Sequence, residues 1–309
     1  MARCMGVIAE MTMLVYCNGD SYTAGVNLSD EMIPNYPGNF TRAELTSKIN
    51  AITEFQNSKS KCYHKYVNYN DVLNGNTDLT FYDDPAPGLI LFSGVHNILE
   101  KQNAFPFELE KLNNSIKTIN SAIPGASMGG ICNRTILDLL ELQSKNVRVD
   151  KVIIQLTSPG RYEIYDSDHP NFMFDRPVHQ FRSIKDCGIG DAVILKYSNA
   201  DFLLKYLYHL ISLKETVRSI TGHFPILIDS INGEMIQADI KHTRCYIQEN
   251  NNNSQLPVFD SLVTHSMIES TQWLMMLDAA AKVKRPYAHD GHFSAEVHKL
   301  TAKELIKLL

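Results

Sequence analysis

Short apolar runs that alternate with long amphipathic segments constrain the fold of this chain more than any other feature. Three of these runs, Met13–Cys17, Val149–Leu156 and Phe224–Asp229, have the length and composition of strands buried in a parallel sheet. Between them lie segments with the apolar periodicity of helices, the clearest of which spans Asn199–Ile220. The alternation predicts an α/β domain whose parallel sheet is covered on both sides.

The remaining pattern predicts one large domain. A further strand is predicted at Ile116–Ile123, and further helices are predicted at Phe107–Leu112, Gly129–Leu142, Ser270–Val283 and after the N-cap residue Ser294. Two polar regions, at about residues 29–106 and 162–198, are predicted to be loop-rich insertions into a single domain of residues 1–309. The first region either covers the sheet edge and shapes a substrate pocket, or is a surface excursion with no role in specificity.

Composition and charge exclude several classes of protein. The chain has 309 residues, of which 44% are apolar and 20% charged, as is typical of a globular protein with a full core. A net charge of −5 gives no electrostatic reason to expect nucleic acid or an anionic membrane as a partner. The six cysteines have no C-x-x-C spacing, so we expect reduced thiols rather than a zinc site or disulfides. The chain has no run of ~20 apolar residues and no signal-peptide core near its N-terminus, so a cytoplasmic location is predicted.

The strand at Met13–Cys17 is followed at once by the turn Asn18-Gly19-Asp20-Ser21. Gly19 permits a tight backbone, and Asp20 and Ser21 are both favoured at the start of a helix. A serine in that place lies at the positive end of the helix dipole, where its own N–H can face a developing negative charge. Gly-Asp-Ser is also common turn chemistry without function, so the turn alone leaves a nucleophile and a plain N-cap both open.

The other end of the chain carries a histidine and an acid together, in His289-Asp-Gly-His292, just before the last helix. With the block "NGDSYTAG" at residues 18–25, this segment resembles the SGNH hydrolases, the GDSL-type esterase and lipase superfamily, and most closely its bacteriophage members. The resemblance implies a flavodoxin-like three-layer α/β/α sandwich with Ser21 as nucleophile, His292 as general base and acid, and Asp290 as the orienting acid. In the family the acid stands three residues before the histidine. Here His289 has that position, and Asp290 stands two residues before His292.

The resemblance also implies an oxyanion hole, to which the backbone N–H groups of Ser21 and Gly125 would contribute. The third family block, Gly-x-Asn-Asp, supplies a further donor from an Asn side chain, and it is absent after the strand Val149–Leu156. Asn133 is the first choice as its replacement, because it follows the Gly125 turn at the start of a helix. Loss of one such donor typically costs ~10²–10³ in rate, so a replacement or a weaker enzyme is expected.

The segment Thr157-Ser-Pro-Gly-Arg161 takes the place of that third block. Thr157, Ser158 and Arg161 are alternative donors, and they are predicted to contact the substrate. The strand ends before Ser21, Gly125 and Thr157 are expected to meet at the carboxyl edge of the sheet, where ligands bind in open α/β folds.

Other kinds of site are not indicated by the sequence. Asp168, His169 and His179 have no recognisable metal-ligand spacing, and no Gly-x-Gly-x-x-Gly or P-loop follows any strand, so neither a metal nor a cofactor is predicted. Gly-x-Ser-x-Gly is absent around Ser21, which argues against an α/β-hydrolase. His298 is a competing base, but its place inside the last helix predicts a surface residue.

The sequence therefore predicts hydrolysis of an ester through an acyl-Ser21 intermediate. The expected substrate is a small acyl ester, such as an O-acetyl group on a carbohydrate; a lipid ester is less favoured, since no apolar lid helix is evident. The alternative is a non-catalytic protein of the same fold that binds a ligand or belongs to a virion, as the missing Gly-x-Asn-Asp and the shifted aspartate suggest. No nucleic-acid partner or membrane span is expected, and the oligomeric state is left open.

Overall fold

A computed structural model describes residues 12–20, 23, 65–68, 70–71, 79–91, 104–123, 126–159, 162–164, 179–181, 199–230, 233–250, 253–268, 272–284 and 292–309. Ten strands lie in these ranges: β1 Met13–Asn18, β2 Tyr66–Asn68, β3 Phe81–Tyr82, β4 Leu89–Leu91, β5 Ile116–Asn120, β6 Lys151–Gln155, β7 Tyr162–Ile164, β8 His179–Phe181, β9 Ile226–Asp229 and β10 Trp273–Met275. The same ranges contain seven α-helices: α1 Phe105–Leu112, α2 Met128–Ser144, α3 Asn199–Thr221, α4 Gly233–Glu249, α5 Leu256–Val263, α6 Met276–Ala280 and α7 Ala295–Ile306. A 3₁₀-helix at Asn253–Gln255 precedes α5, and a π-helix at Thr264–Ile268 follows it.

Eight of the strands form one sheet in the order β10-β9-β6-β1-β5-β4-β2-β3. Every pairing from β10 to β4 is parallel, whereas β2 is antiparallel to both β4 and β3. If β1, β5, β6, β9 and β10 are counted in chain order, their spatial order is 2-1-3-4-5, which is the flavodoxin-like order. The predicted flavodoxin-like fold with a mostly parallel sheet is therefore confirmed.

The central strand β1 contributes to a hydrophobic core on each face of the sheet. Leu14 and Tyr16 belong to one core, which includes residues of α2, α3, α4 and α5. Val15 and Cys17 belong to the other core, with residues of α1, α6 and α7. Successive side chains of a strand point to opposite faces, so β1 is buried from both sides. Helices thus cover both faces, and the predicted three-layer α/β/α arrangement is confirmed.

The two predicted insertions differ in how their described parts relate to the sheet. In residues 29–106, strands β2, β3 and β4 extend the eight-stranded sheet beyond β5 rather than covering its edge. In residues 162–198, β7 and β8 pair with each other in a separate two-stranded antiparallel sheet. The limits proposed for these insertions stay a prediction.

The end of the chain differs from the prediction in two ways. The helix predicted at Ser270–Val283 is wrong, because Trp273–Met275 forms strand β10, and among the described residues of this range only Met276–Ala280 are helical. A short apolar run fits a strand and a buried helix equally well. Trp273–Met275 is a strand because it pairs in parallel with β9. Ser294 is the N-cap residue of α7, but its hydroxyl makes no capping hydrogen bond.

Helix α3 is 23 residues long, and it packs one face into the first core. Leu203, Leu207 and Leu210 on this face are fully buried, whereas Tyr208 is 62% exposed. In the part of the chain that the structure describes, no helix is long and apolar enough to cross a membrane. The apolar stripe of α3 thus faces the sheet, as its sequence periodicity predicts.

Replacement of Leu207 by alanine should destabilise the fold much more than replacement of its neighbour Tyr208. Leu207→Ala removes a fully buried side chain and should lower the free energy of unfolding by about 2–5 kcal/mol. Tyr208→Ala, on the exposed side of α3, should change it by about 0.5 kcal/mol or less. Urea unfolding measures both values, and equal losses would contradict this orientation of α3.

Candidate active site

Polar residues end four neighbouring strands at the carboxyl edge of the sheet. Asn18 ends β1, Asn120 ends β5, Gln155 ends β6 and Asp229 ends β9. All four side chains are buried, although the strands that carry them are apolar in their interiors. Ligands of open parallel sheets bind outside the carboxyl ends of the strands, at the point where the chain reverses its direction of strand addition. That point lies here between β1 and β6.

The side chain of Gln155 contacts the chain on both sides of the predicted nucleophile. Its Oε1 accepts hydrogen bonds from the backbone N–H of Thr23 at 2.8 Å and from the Thr23 hydroxyl at 2.7 Å. Its Nε2 donates to Oδ1 of Asp20 at 2.5 Å. Ser21 itself lies outside the described residues. Asp20, the residue before Ser21, and Thr23, the second residue after it, are both hydrogen-bonded to the Gln155 amide at the end of β6.

The carboxylate of Asp20 is fully buried. Its Oδ2 accepts a hydrogen bond from the hydroxyl of Thr157 at 3.2 Å, in addition to the bond that Oδ1 accepts from Gln155. A carboxylate removed from water requires such donors, because an unpaired buried charge costs several kcal/mol. Both donors come from β6 and the residues after it, so Asp20 fastens the loop that follows β1 to the end of β6.

Thr157, predicted to contact the substrate, is thus a buried support of Asp20 in this structure. Ser158, predicted for the same role, is half-buried, and Arg161 lies outside the described residues. Substrate contacts of all three residues stay a prediction.

The end of β5 is also bound to the serine turn. Nδ2 of Asn120 donates to the carbonyl oxygen of Thr23 at 2.9 Å. The backbone N–H of Ser121 donates to the carbonyl oxygen of Cys17 at 2.9 Å, and that of Ile123 donates to the carbonyl oxygen of Gly19 at 3.3 Å. The loop that leaves β5 is thereby held beside the loop that leaves β1. Gly125, the predicted oxyanion donor of this loop, lies outside the described residues.

A buried polar network, which the sequence did not reveal, joins β2 to this region. The hydroxyls of Tyr16 and Tyr66 both donate to Oδ2 of Asp138 in α2, at 2.8 and 2.7 Å, and the Tyr66 hydroxyl lies 2.9 Å from Oγ of Ser121. Burial, together with the nearby Asp138 carboxylate, raises the pKa of Tyr16 well above its usual value. Tyr16 therefore remains protonated and able to donate to Asp138.

Helix α2 lies over the end of β1. Nδ2 of Asn18 donates to the Thr135 hydroxyl at 2.9 Å and to the carbonyl oxygen of Ile131 at 3.3 Å. Asn133, the predicted oxyanion donor, lies between these two residues in α2, and its side chain is exposed. Its role in the oxyanion hole stays a prediction.

The two histidines near the C-terminus have different surroundings. His292, the predicted general base, is half-buried, whereas His298 in α7 is only 1% exposed. Nδ1 of His298 accepts a hydrogen bond from the backbone N–H of Phe105 at 3.2 Å, and the two rings are stacked. Burial, and to a smaller extent the nearby His292, lowers the pKa of His298 to about 3.

The prediction of His298 as a surface residue is therefore wrong, because α7 turns this position toward α1. A buried imidazole with an occupied Nδ1 is also unsuited to compete as the base. Asp290, the predicted acid, lies outside the described residues. Within the described ranges, no group of three His, Cys, Asp or Glu side chains is placed to hold a metal ion. Of the residues considered for a metal site, Asp168 and His169 lie outside those ranges, and His179 lies in β8.

Comparisons with known proteins give likenesses at the level of structure only. No family model and no curated protein matches the chain. A family two carbohydrate esterase from Clostridium thermocellum in complex with cellohexaose aligns at 12% identity and a TM-score of 0.40, covering 96% of this chain and 63% of that one. A member of the lipolytic protein G-D-S-L family from Veillonella parvula aligns at 10% identity and a TM-score of 0.36, covering 96% and 98%. A catalytic mutant of an acetylxylan esterase from Geobacillus stearothermophilus aligns at 12% identity and a TM-score of 0.41, covering 96% and 93%.

The predicted resemblance to GDSL-type esterases agrees with these likenesses. TM-scores of 0.36 to 0.41 are nevertheless below the level that indicates a shared fold. The α/β/α assignment therefore depends on the strand order of the chain and on its two cores, and the site depends on the contacts described above.

Replacement of Gly19 by alanine should destabilise the serine turn. A Cβ atom at this position would lie 2.5 Å from the Thr23 hydroxyl oxygen and 2.7 Å from Cβ of Gln155, so the turn would have to move. The free energy of unfolding should fall by about 1–3 kcal/mol. Gly129→Ala is the control, since the nearest atoms to its Cβ would be those of the His209 side chain, at 3.2 to 3.6 Å, which a small shift of the ring relieves. The free energy of unfolding should change by about 1 kcal/mol or less. A Gly19→Ala variant as stable as this control would contradict the close packing.

The buried imidazole of His298 should make the fold less stable as the pH falls. Its pKa is about 3 in the folded chain against a usual value of 6.5, so between these values the unfolded chain binds a proton that the folded chain does not. Stability from this residue is fully present above pH ~6.5 and decreases as the pH falls toward ~3, by roughly 5 kcal/mol in all. His298→Asn retains an acceptor for the Phe105 N–H but does not titrate.

Unfolding measured between pH 7 and pH 4 should show a smaller pH dependence in His298→Asn than in the unmodified protein. His223→Asn, which changes an exposed histidine, should retain the full dependence. Parallel curves for His298→Asn and the unmodified protein would refute this assignment.

Proposed function

We propose that this protein is a serine esterase in which Ser21 is the nucleophile. The observation that carries the proposal is the placement of Asp20 and Thr23, which are bound to Gln155 on either side of Ser21 at the carboxyl edge of the sheet. In open parallel sheets, this edge is where ligands bind. The resemblance of the serine and histidine blocks to SGNH hydrolases supports the type of reaction.

In the proposed reaction, Oγ of Ser21 attacks the carbonyl carbon of the ester while His292 accepts the hydroxyl proton. The tetrahedral intermediate collapses, the bond from carbon to the leaving alcohol breaks, and His292 returns the proton to that alcohol. Water then attacks the acyl-Ser21 ester with His292 again as base, which releases the carboxylic acid and restores the serine. Asp290 orients the His292 ring, and the N–H groups of Ser21 and Gly125 with the side chain of Asn133 stabilise the oxyanion.

The neutral state of His298 supports the assignment of His292 as the base. His298 has a pKa of about 3, so it is uncharged near pH 7 and does not oppose formation of an imidazolium at the nearby His292. The half-buried His292 is then the histidine to which the proposed reaction assigns the transfer of the proton. The shift of the acid to Asp290 requires no change in this role of His292.

The proposed substrate is a small acyl ester such as an O-acetyl group on a carbohydrate, with no cofactor and no second macromolecule. This part of the proposal comes from the resemblance of the sequence blocks. It predicts that acetylated xylan and p-nitrophenyl acetate are hydrolysed faster than p-nitrophenyl palmitate. A preference for the long acyl chain would assign a lipid ester instead.

Removal of the Ser21 hydroxyl should abolish hydrolysis. Ser21→Ala should lower kcat for p-nitrophenyl acetate by at least about 10³-fold, because loss of the nucleophile removes the covalent route. A fluorophosphonate probe should label the unmodified protein and not the variant. Ser144→Ala, which changes an exposed hydroxyl in α2, is the control and should keep both activity and labelling. Labelling or hydrolysis that survives in Ser21→Ala would refute the mechanism, and an unmodified protein with neither activity would favour the non-catalytic alternative.

A further inference from the structure

We propose that Gln155 is a positioning residue for the Ser21 nucleophile. The Gln155 clamp, meaning the hydrogen bonds from the Gln155 amide to Asp20 and Thr23, holds the two ends of the short segment that contains Ser21. This inference rests on the proposed function. It assigns a role to a residue outside the triad and outside the predicted oxyanion hole.

The hydrogen-bond donors around Gln155 fix the orientation of its amide. Thr23 presents two donors, its backbone N–H and its hydroxyl, so the amide oxygen must face Thr23. The amide nitrogen then faces the Asp20 carboxylate, which can only accept. A neutral amide offers an acceptor on one side and a donor on the other, and it does so at any pH at which the protein is folded. Glutamate would place two carboxylates in contact, and methionine would leave both neighbours without this partner.

Gln155 acts on Ser21 through its neighbours and not by contact with substrate. Its side chain is fully buried. Nε2 donates to Asp20, and it lies 3.3 Å from the Leu156 carbonyl oxygen and 3.4 Å from Oγ of Ser230. The third family block would supply an oxyanion donor near this strand end. In this chain the amide at the end of β6 is directed inward to the serine turn.

The close packing around Gly19 makes the clamp rigid. Any Cβ atom at Gly19 would lie 2.7 Å from Cβ and 3.0 Å from Oε1 of Gln155, so the turn touches the clamp directly. Asn120 adds a hydrogen bond to the Thr23 carbonyl from the opposite side, at 2.9 Å. Thr23 is therefore hydrogen-bonded to the ends of both β5 and β6, and Asp20 is hydrogen-bonded to the end of β6.

Loss of the clamp should slow acylation more than it weakens binding. A displacement of about 1 Å in a catalytic group can cost ~10²-fold in rate, because the attacking atom must lie within reach of both the carbonyl carbon and the base. We expect Gln155→Met to lower kcat for p-nitrophenyl acetate by about 10- to 100-fold with KM changed by less than about 3-fold. The rate of fluorophosphonate labelling should fall by the same factor as kcat.

Thr23→Val is the milder variant, since it removes one hydrogen bond of the clamp and keeps the shape of the side chain. It should lower the labelling rate by about 3- to 10-fold. Gln143→Met, which changes an exposed glutamine in α2, is the matched control and should leave labelling unchanged. Thermal unfolding of each variant identifies the temperature at which all are folded, and rates are compared there.

Gln155→Glu separates positioning from a general loss of stability. This amide is bonded to Asp20, and Tyr206 of α3 lies near Asp20 and near Asp229 at the end of β9. At low pH the introduced carboxyl is protonated and can donate to Asp20, and at high pH it is ionised and is repelled by the Asp20 carboxylate. The labelling rate of Gln155→Glu relative to the unmodified protein should therefore fall as the pH rises, whereas the relative rate of Gln155→Met should stay constant.

The outcomes distinguish this inference from the proposed function. If the unmodified protein is labelled at Ser21 and folded Gln155→Met and Thr23→Val are labelled within 2-fold of its rate, the clamp has no positioning role. A rise in KM with kcat unchanged in Gln155→Met would also overturn it, because Gln155 would then act on substrate affinity. If the unmodified protein shows neither labelling nor hydrolysis, the proposed function fails, and the inference fails with it.

Discussion

A carboxylate removed from water at the end of the central strand is the constraint on which the candidate site depends. Asp20 is fully buried, and it accepts hydrogen bonds from Gln155 and Thr157. An unpaired charge in that place would cost several kcal/mol, so the turn after β1 is stable only when it stays docked against the end of β6. The same bonds that satisfy Asp20 fix where the chain enters the Ser21 segment. Stability and the geometry of the site are thus supplied by one set of contacts.

The sheet makes this docking possible because its strands are apolar in the middle and polar at their carboxyl ends. Interior residues such as Ile153 and Ile154 are fully buried in the two cores, while Asn120 and Gln155 end their strands and bind the turn after β1. Amide side chains are suited to these strand ends, since they offer a donor and an acceptor without a net charge. The parallel arrangement brings these strand ends together at one edge, so each can bind the loop of its neighbour.

The sequence predicted the parts of the fold that have long, regular patterns. Strand β6 and helix α3 were predicted correctly because their apolar residues continue over many positions. Strand β10 was missed because a run of three residues has no period of its own, and only its pairing with β9 makes it a strand. Gln155 could not be identified because its partners are 132 and 135 positions away in the chain, and a glutamine that ends an apolar run has no local signature. His298 was placed on the surface for the same reason, since its burial depends on α1.

The polar groups at the end of β6 also explain how this chain can depart from the third block of the family it resembles. Gln155 and Thr157, the residues that flank Leu156, both direct their side-chain donors to Asp20. The second N–H of the Gln155 amide also faces protein groups, because Nε2 lies 3.3 Å from the Leu156 carbonyl oxygen and 3.4 Å from Oγ of Ser230. Asn133 in α2, a helix that Asn18 binds at Ile131 and Thr135 over the end of β1, and Ser158 and Arg161 after β6 remain the other side chains proposed as donors. The hydrogen bonds that hold Asp20 at the start of the serine turn thus engage the side-chain donors of Gln155 and Thr157.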